Sequence, residues 1–234
     1  MRIVIWEVYD VPAFDIEDVS DIYVSVALPS FNLKGKTDTH YRAQDNFGSF
    51  NWRIVFKLQI QGDPRREKFR LDFKVFDKDF LSGNDFIAQV DYPLYDLVEE
   101  ILQTETRNKI FGPSLDDENK KSNKFVLKAQ IKQDRGNKED PKFCKIVCSI
   151  DCLTEKEAEV SPAGSGRSDP NQDPFLPAPH SRFIFSWNPL KVASQLCGPQ
   201  FKKRLCWMIV LVLLVIFVVV FLPTLIAVII GNGI

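Results

Sequence analysis

Histidine is scarce in this chain, with two among 234 residues. His40 and His180 lie far apart in sequence, so neither a nucleophilic triad nor a histidine-rich metal centre is suggested, and both read as surface residues. An excess of charge is missing too: 30 Lys+Arg stand against 31 Asp+Glu, a formal net charge of −1. Bulk nucleic-acid binding would leave a strong basic excess, so that class of partner is excluded. No internal repeat is visible, and no N-terminal secretory signal. The glycine-rich "GSGR" from Gly164 lacks the preceding strand and following helix of a phosphate-binding loop. Cys144, Cys148 and Cys152 are spaced by four. On a strand they share a face but sit about 13 Å apart per step, too far to chelate one ion, and they read as core thiols. These absences leave no enzymatic reading, and no catalytic residue is expected.

Charge is absent after residue 204. The stretch "LCWMIVLVLLVIFVVVFLPTLIAVII" from Leu205 to Ile230 runs for 26 residues without a charged side chain, where about 20 suffice to cross a bilayer core of roughly 30 Å. A transmembrane helix is expected over 205–230, kinked but not ended by Pro223. Lys202, Lys203 and Arg204 abut its N-terminal end and no positive charge follows it, which orients the preceding residues into the cytosol. Cysteines placed there are reduced thiols. Cys206, at the membrane edge, reads as a small apolar residue, with reversible palmitoylation as the alternative. The expected topology is a single-pass, tail-anchored protein in the plasma membrane or intracellular vesicles.

What is abundant is period-two alternation. In "FRLDFKVF", Phe69, Leu71, Phe73 and Val75 face one side while Arg70, Asp72 and Lys74 face the other, the pattern of a half-buried strand. The same holds for "RIVIWEVY" from Arg2, "IYVSVAL" from Ile22, "FNWRIVFK" from Phe50, "FIAQVDY" from Phe86, "FVLKAQI" from Phe125 and "CKIVCSID" from Cys144. Short strands with polar turns and little helix predict an all-β, antiparallel sandwich. Between Leu94 and Lys142 the pattern is interrupted by "LYDLVEEIL", a short helix, and "DDENKKSNK", a solvated loop. After Leu153, "EKEAEVSPAGSGRSDPNQDPFLPAP" is poor in aliphatics and rich in Pro, Gly and acids, and reads as a disordered linker. The expected domains are 1–153, a β-sandwich; 154–204, linker and juxtamembrane segment; and 205–230, the membrane helix.

Five aspartates stand out against this frame. Asp15 and Asp21 precede one strand, and Asp77, Asp79 and Asp85 occupy the loop after the strand ending at Phe76. Loops at one end of an antiparallel sandwich converge, and five carboxylates there repel one another unless a cation sits between them. A hard dication with six to eight oxygen ligands suits such a set.

These residues resemble the calcium-binding C2 domain family, in which aspartates of two loops at one end of an eight-stranded sandwich cradle calcium. "SDIYV" at Ser20 resembles the family's strand-opening motif, with Ile22 in place of a usual proline. "KTDTHYRAQDNFGSFNWRIVF", "SPAGSGRSDPNQDPFLPAPH" and "RFIFSWNPLK" before the apolar run together resemble the last C2 domain, linker and anchor of ferlins, the dysferlin and otoferlin family. The resemblance implies Ca2+ at Asp15, Asp21, Asp77, Asp79 and Asp85. It also implies insertion of the apolar tips Ile16, Phe80 and Leu81 into anionic phospholipid once calcium neutralises the loops. Vesicle docking, membrane fusion or membrane repair is the implied role, with fusion-machinery proteins as further partners. The alternative is a calcium-independent, membrane-anchored scaffold whose C2 domain binds a protein.

Overall fold

The computed structural model describes residues 1–12, 20–60, 69–79, 83–132, 141–182, 187–188, 192 and 201–222. The chain divides into two units, Met1–Phe183 and Ile184–Ile234.

Alternation becomes strand throughout the first unit. The main strands are β1 (Arg2–Tyr9), β2 (Ser20–Leu28), β3 (Leu33–Lys36), β4 (His40–Ala43), β5 (Gly48–Val55), β6 (Arg70–Asp77) and β7 (Asp85–Pro93). An insertion follows, with helix α1 (Tyr95–Thr104) and the two-residue strands β8 (Asn108–Lys109), β9 (Gly112–Pro113) and β10 (Lys121–Ser122). The last long strands are β11 (Phe125–Ile131) and β12 (Phe143–Cys152). Eight strands pair in the order β3-β2-β6-β7-β11-β12-β1-β5, with β4 on β2, β8 on β12, and β9 and β10 paired separately. Every pairing is antiparallel.

Among the described residues β7 and β11 pair at Gln89 with Gln130 and at Ala88 with Ile131. The four strands on either side of this junction, two leaves of one C2-like antiparallel sheet, close around one core. Leu71, Phe73 and Val75 of β6 lie in that core with Ile3 and Ile5 of β1 and Ile146 and Ile150 of β12. Cys144, Cys148 and Cys152 are buried free thiols. Burial pushes the Cys144 and Cys152 thiols up to about 12, which makes them inert packing groups.

One expectation needs correction. Residues 155–179, expected to be disordered, are ordered on the outer face of the β12-β1-β5 leaf. A capping box opens the segment: the Thr154 hydroxyl accepts the Glu157 N–H while the Glu157 carboxylate accepts the Thr154 N–H, starting helix α2 (Glu155–Val160). Beyond it, residues 161–182 form a strap. Leu176 packs with Val4, Trp6 and Val147 in a second apolar cluster, and Gly166 makes a β-bridge to Arg53. The composition argument weighs only what the segment can bury by itself. The strap builds no core of its own and uses the surface of the sheet.

His40 is a second correction. It is buried, 1 % exposed, because β4 lies against β2 and the strap's end covers it. The Ser49 N–H donates to its Nδ1 at 3.0 Å, so Nε2 carries the proton and donates to the Ser181 carbonyl at 2.9 Å.

In the second unit, helix α3 (Phe201–Ile216) continues as a π-helical turn, Phe217–Phe221. Among the described residues no helix is long and apolar enough to cross a membrane. The remainder of the expected span, 223–230, lies outside the described residues.

Candidate functional site at the acidic edge

Because β2, β6 and β7 are antiparallel neighbours, the start of β2, the end of β6 and the start of β7 fall along one edge. Asp77 pairs with Ile22 on one side and with Asp85 on the other. Asp21, one residue before Ile22, therefore stands beside Asp77, and its N–H donates to the Asp77 carboxylate at 2.7 Å. Asp77 is 5 % exposed. The Asp21 carboxylate in turn accepts the Arg42 N–H at 2.7 Å, and its carbonyl accepts the Lys78 N–H at 2.8 Å. This lattice ties the ends of three strands together and fixes the direction in which both carboxylates face.

Of the five predicted aspartates, Asp21, Asp77 and Asp85 come to this edge, and Asp79 follows it in the loop, half-buried. Asp15 and Ile16 lie outside the described residues, as do Phe80 and Leu81. Among the described residues no group of three or more His, Cys, Asp or Glu converges as a metal-binding cluster. The candidate set nevertheless consists of carboxylate oxygens only, the donor chemistry a hard dication such as calcium takes. Lys202, Lys203 and Arg204 lie in the first turn of α3, and the Lys203 side chain is exposed.

Sequence reasoning missed a third loop at this end. Residues 44–47 join β4 to β5, with Asp45 and Asn46 both at φ 57°, a backbone that Asp and Asn tolerate better than most residues. The Val11 N–H donates to the Asn46 carbonyl at 3.1 Å, so this loop braces the chain leaving β1. The signal was the "QDN" turn chemistry, legible as a turn but not as a neighbour of the aspartates. An exposed pair flanks the same edge: the Lys78 ammonium donates to the Tyr41 hydroxyl at 2.6 Å, which holds the Tyr41 phenol below its ordinary value and the ammonium above its own.

Comparison with known families now bears on this geometry. Residues 95–232 match the family described as Ferlin C-terminus, and residues 1–110 match the C2 domain. The chain belongs to the ferlin family. It is similar to myoferlin of Xenopus tropicalis, 29 % identical over 255 residues that cover 94 % of this chain and 13 % of the relative. Ferlin 1 of Toxoplasma gondii is 28 % identical over 228 residues, 93 % of this chain and 14 % of that protein. The chain thus spans about an eighth of the length of these ferlins. Among solved structures, a C2 domain of plant Extended Synaptotagmin 1 matches 63 % of this chain and 92 % of its own, at 10 % identity and a TM-score of 0.38.

Proposed function

We propose that this ferlin chain is a membrane-anchored, calcium-responsive C2 module that binds anionic phospholipid and acts in vesicle docking, membrane fusion or membrane repair. The observation that carries the reading is the alignment of Asp21, Asp77 and Asp85 along one strand edge in a chain of the ferlin family. Asp15 and Asp79 complete the ligand set, and calcium there relieves carboxylate repulsion and opens the edge to lipid phosphate. Ile16, Phe80 and Leu81 are the apolar tips that enter the interface. Lys202, Lys203 and Arg204 hold the cytosolic end of a membrane span over 205–230, with residues 1–153 as the C2 domain. The protein is a binding module, not a catalyst.

Calcium titration tests the metal assignment. Calcium at a hundredfold excess over its dissociation constant is expected to stabilise the folded chain by about 2.7 kcal/mol, and Asp77→Asn with Asp79→Asn should abolish the gain. An unchanged melting temperature of the wild type in millimolar calcium, with no calorimetric heat, would point instead to the calcium-independent scaffold.

Insertion is tested separately. Phe80→Glu with Leu81→Glu should keep calcium binding and lose calcium-dependent capture by phosphatidylserine vesicles, because the carboxylates remain while the tips no longer favour lipid. Undiminished co-sedimentation of this variant would rule out insertion at this loop.

A further inference from the structure

The strap sits on the sheet in the manner of a bound peptide. It carries Pro162, Pro170, Pro174, Pro177 and Pro179, residues without an N–H to donate. Arg167 and Arg182 of the strap donate to Asp38 and to sheet carbonyls, and side chains of the sheet and of the insertion hold residues 173–177.

The Asp173 carboxylate is the acidic anchor. Arg107 grips it with two parallel bonds, at 2.7 and 2.8 Å, and Arg2 adds a third at 3.0 Å. This forked geometry reads a carboxylate specifically. The main chain is read by Arg53, fully buried, which donates to the carbonyls of Gly164 at 3.1 Å, Gln172 at 2.8 Å and Pro174. The Asn51 amide donates to the Pro177 carbonyl at 3.1 Å. Leu176 is the apolar anchor, 1 % exposed between Val4, Trp6 and Val147. Phe175, between the two anchors, is 69 % exposed and contributes no recognition. An acid and, three residues later, a leucine are thus distinguished by their side chains.

We propose that this face is a peptide-binding site that reads Asp-x-x-Leu, occupied in cis by the chain's own residues 173–176, and that it takes a partner segment carrying the same motif in trans. The strap is the resident ligand that such a partner displaces. Charge complementarity selects the partner, since Arg2 and Arg107 demand an acid at the first position and the apolar cluster demands a leucine three residues later. Displacement also uncovers β5, the last strand of the sheet path. The strap covers it through the paired Arg53 and Gly166 backbone bonds at 3.1 and 2.7 Å, and an uncovered edge invites pairing. Neither calcium nor a bilayer enters these contacts, so the site is independent of the acidic edge.

The test uses the full chain in detergent with Asp173→Lys and Leu176→Asp, substitutions confined to the strap that empty the site and leave its receptor residues intact. A fluorescein-labelled peptide of residues 169–180 is titrated and followed by anisotropy. Saturable binding to this variant is expected, weakened at least about tenfold when the peptide carries the same two substitutions, as for loss of anchor residues. Wild type, its site filled, should bind the label far more weakly. Leu176→Ala, which removes only the apolar anchor, serves as a second receptor. Absence of saturable binding to receptors that retain the wild-type near-ultraviolet circular dichroism overturns the proposal. So does loss of fold in both variants, which would make the strap an inseparable part of the core. Equal binding of an unrelated proline-rich peptide of the same length overturns the motif.

Discussion

Arg53→Met is expected to lower the stability of the first unit by about 3 kcal/mol, the order for leaving buried carbonyls without their charged donor. The guanidinium is completely buried, and burial pushes its pKa below the ordinary value, with the nearby Arg2 adding to the effect and Asp173 opposing it. Its cost is offset by the strap carbonyls it satisfies. A methionine fills similar volume but donates nothing, so the Gly164, Gln172 and Pro174 carbonyls lose their partner inside the protein. At roughly 2–4 °C per kcal/mol for a unit of this size, the melting temperature should fall by about 10 °C. A thermal melt followed by circular dichroism measures it, and a loss under about 1 kcal/mol would mean that these carbonyls find water instead.

Acid should destabilise the fold through His40 by about 3 kcal/mol between pH 6.5 and pH 4, at about 1.4 kcal/mol per pH unit of pKa difference. Burial pulls the His40 imidazole down to about 4, and the Arg182 charge pulls the same way, against the Ser181 carbonyl and Asp38. The unfolded chain takes up its proton near pH 6.5, before the folded chain does. The stabilisation is therefore complete above that value, is lost as the pH falls towards 4, and is flat below. The geometry explains the resistance, since Nδ1 already accepts the Ser49 N–H and a second ring proton would face a donor. Asp173 follows in a lower window. Its carboxylate is held down to about 2, chiefly by the Arg107 hydrogen bonds, so its contribution is present above pH 3.8 and lost as the pH falls through 2. Chemical denaturation of wild type and His40→Gln across this range separates the two. A wild-type slope unchanged by the substitution between pH 6.5 and 4 would remove His40 from the account.

Both effects centre on the strap, the part of the molecule least legible in the sequence. Period-two alternation is a local signal: each residue's face depends on its neighbours two positions away, and "FRLDFKVF" places Leu71, Phe73 and Val75 inward whatever pairs with the strand. The three cysteines of β12 follow the same rule and are buried as expected. The extent of the apolar run after Arg204 and the spacing of the five aspartates are likewise properties of the chain read in one dimension.

The sequence by itself thus determined an antiparallel all-β domain, its ferlin resemblance and the positions of the acidic residues. The tertiary structure decided which of them meet. Asp21 reaches Asp77 through the register of β2 on β6, and Asp85 joins them through β6 on β7. Register is set by the whole buried face of each strand rather than by the aspartates themselves. It also decided the fate of the polar segment after Leu153. Such a segment orders only where another surface supplies what its composition lacks, and here Arg2, Arg53, Arg107 and the Val4–Trp6–Val147 patch come together from strands and an insertion distant in the chain. Complementarity between distant surfaces leaves no periodic trace in either of them, and folding is what creates it.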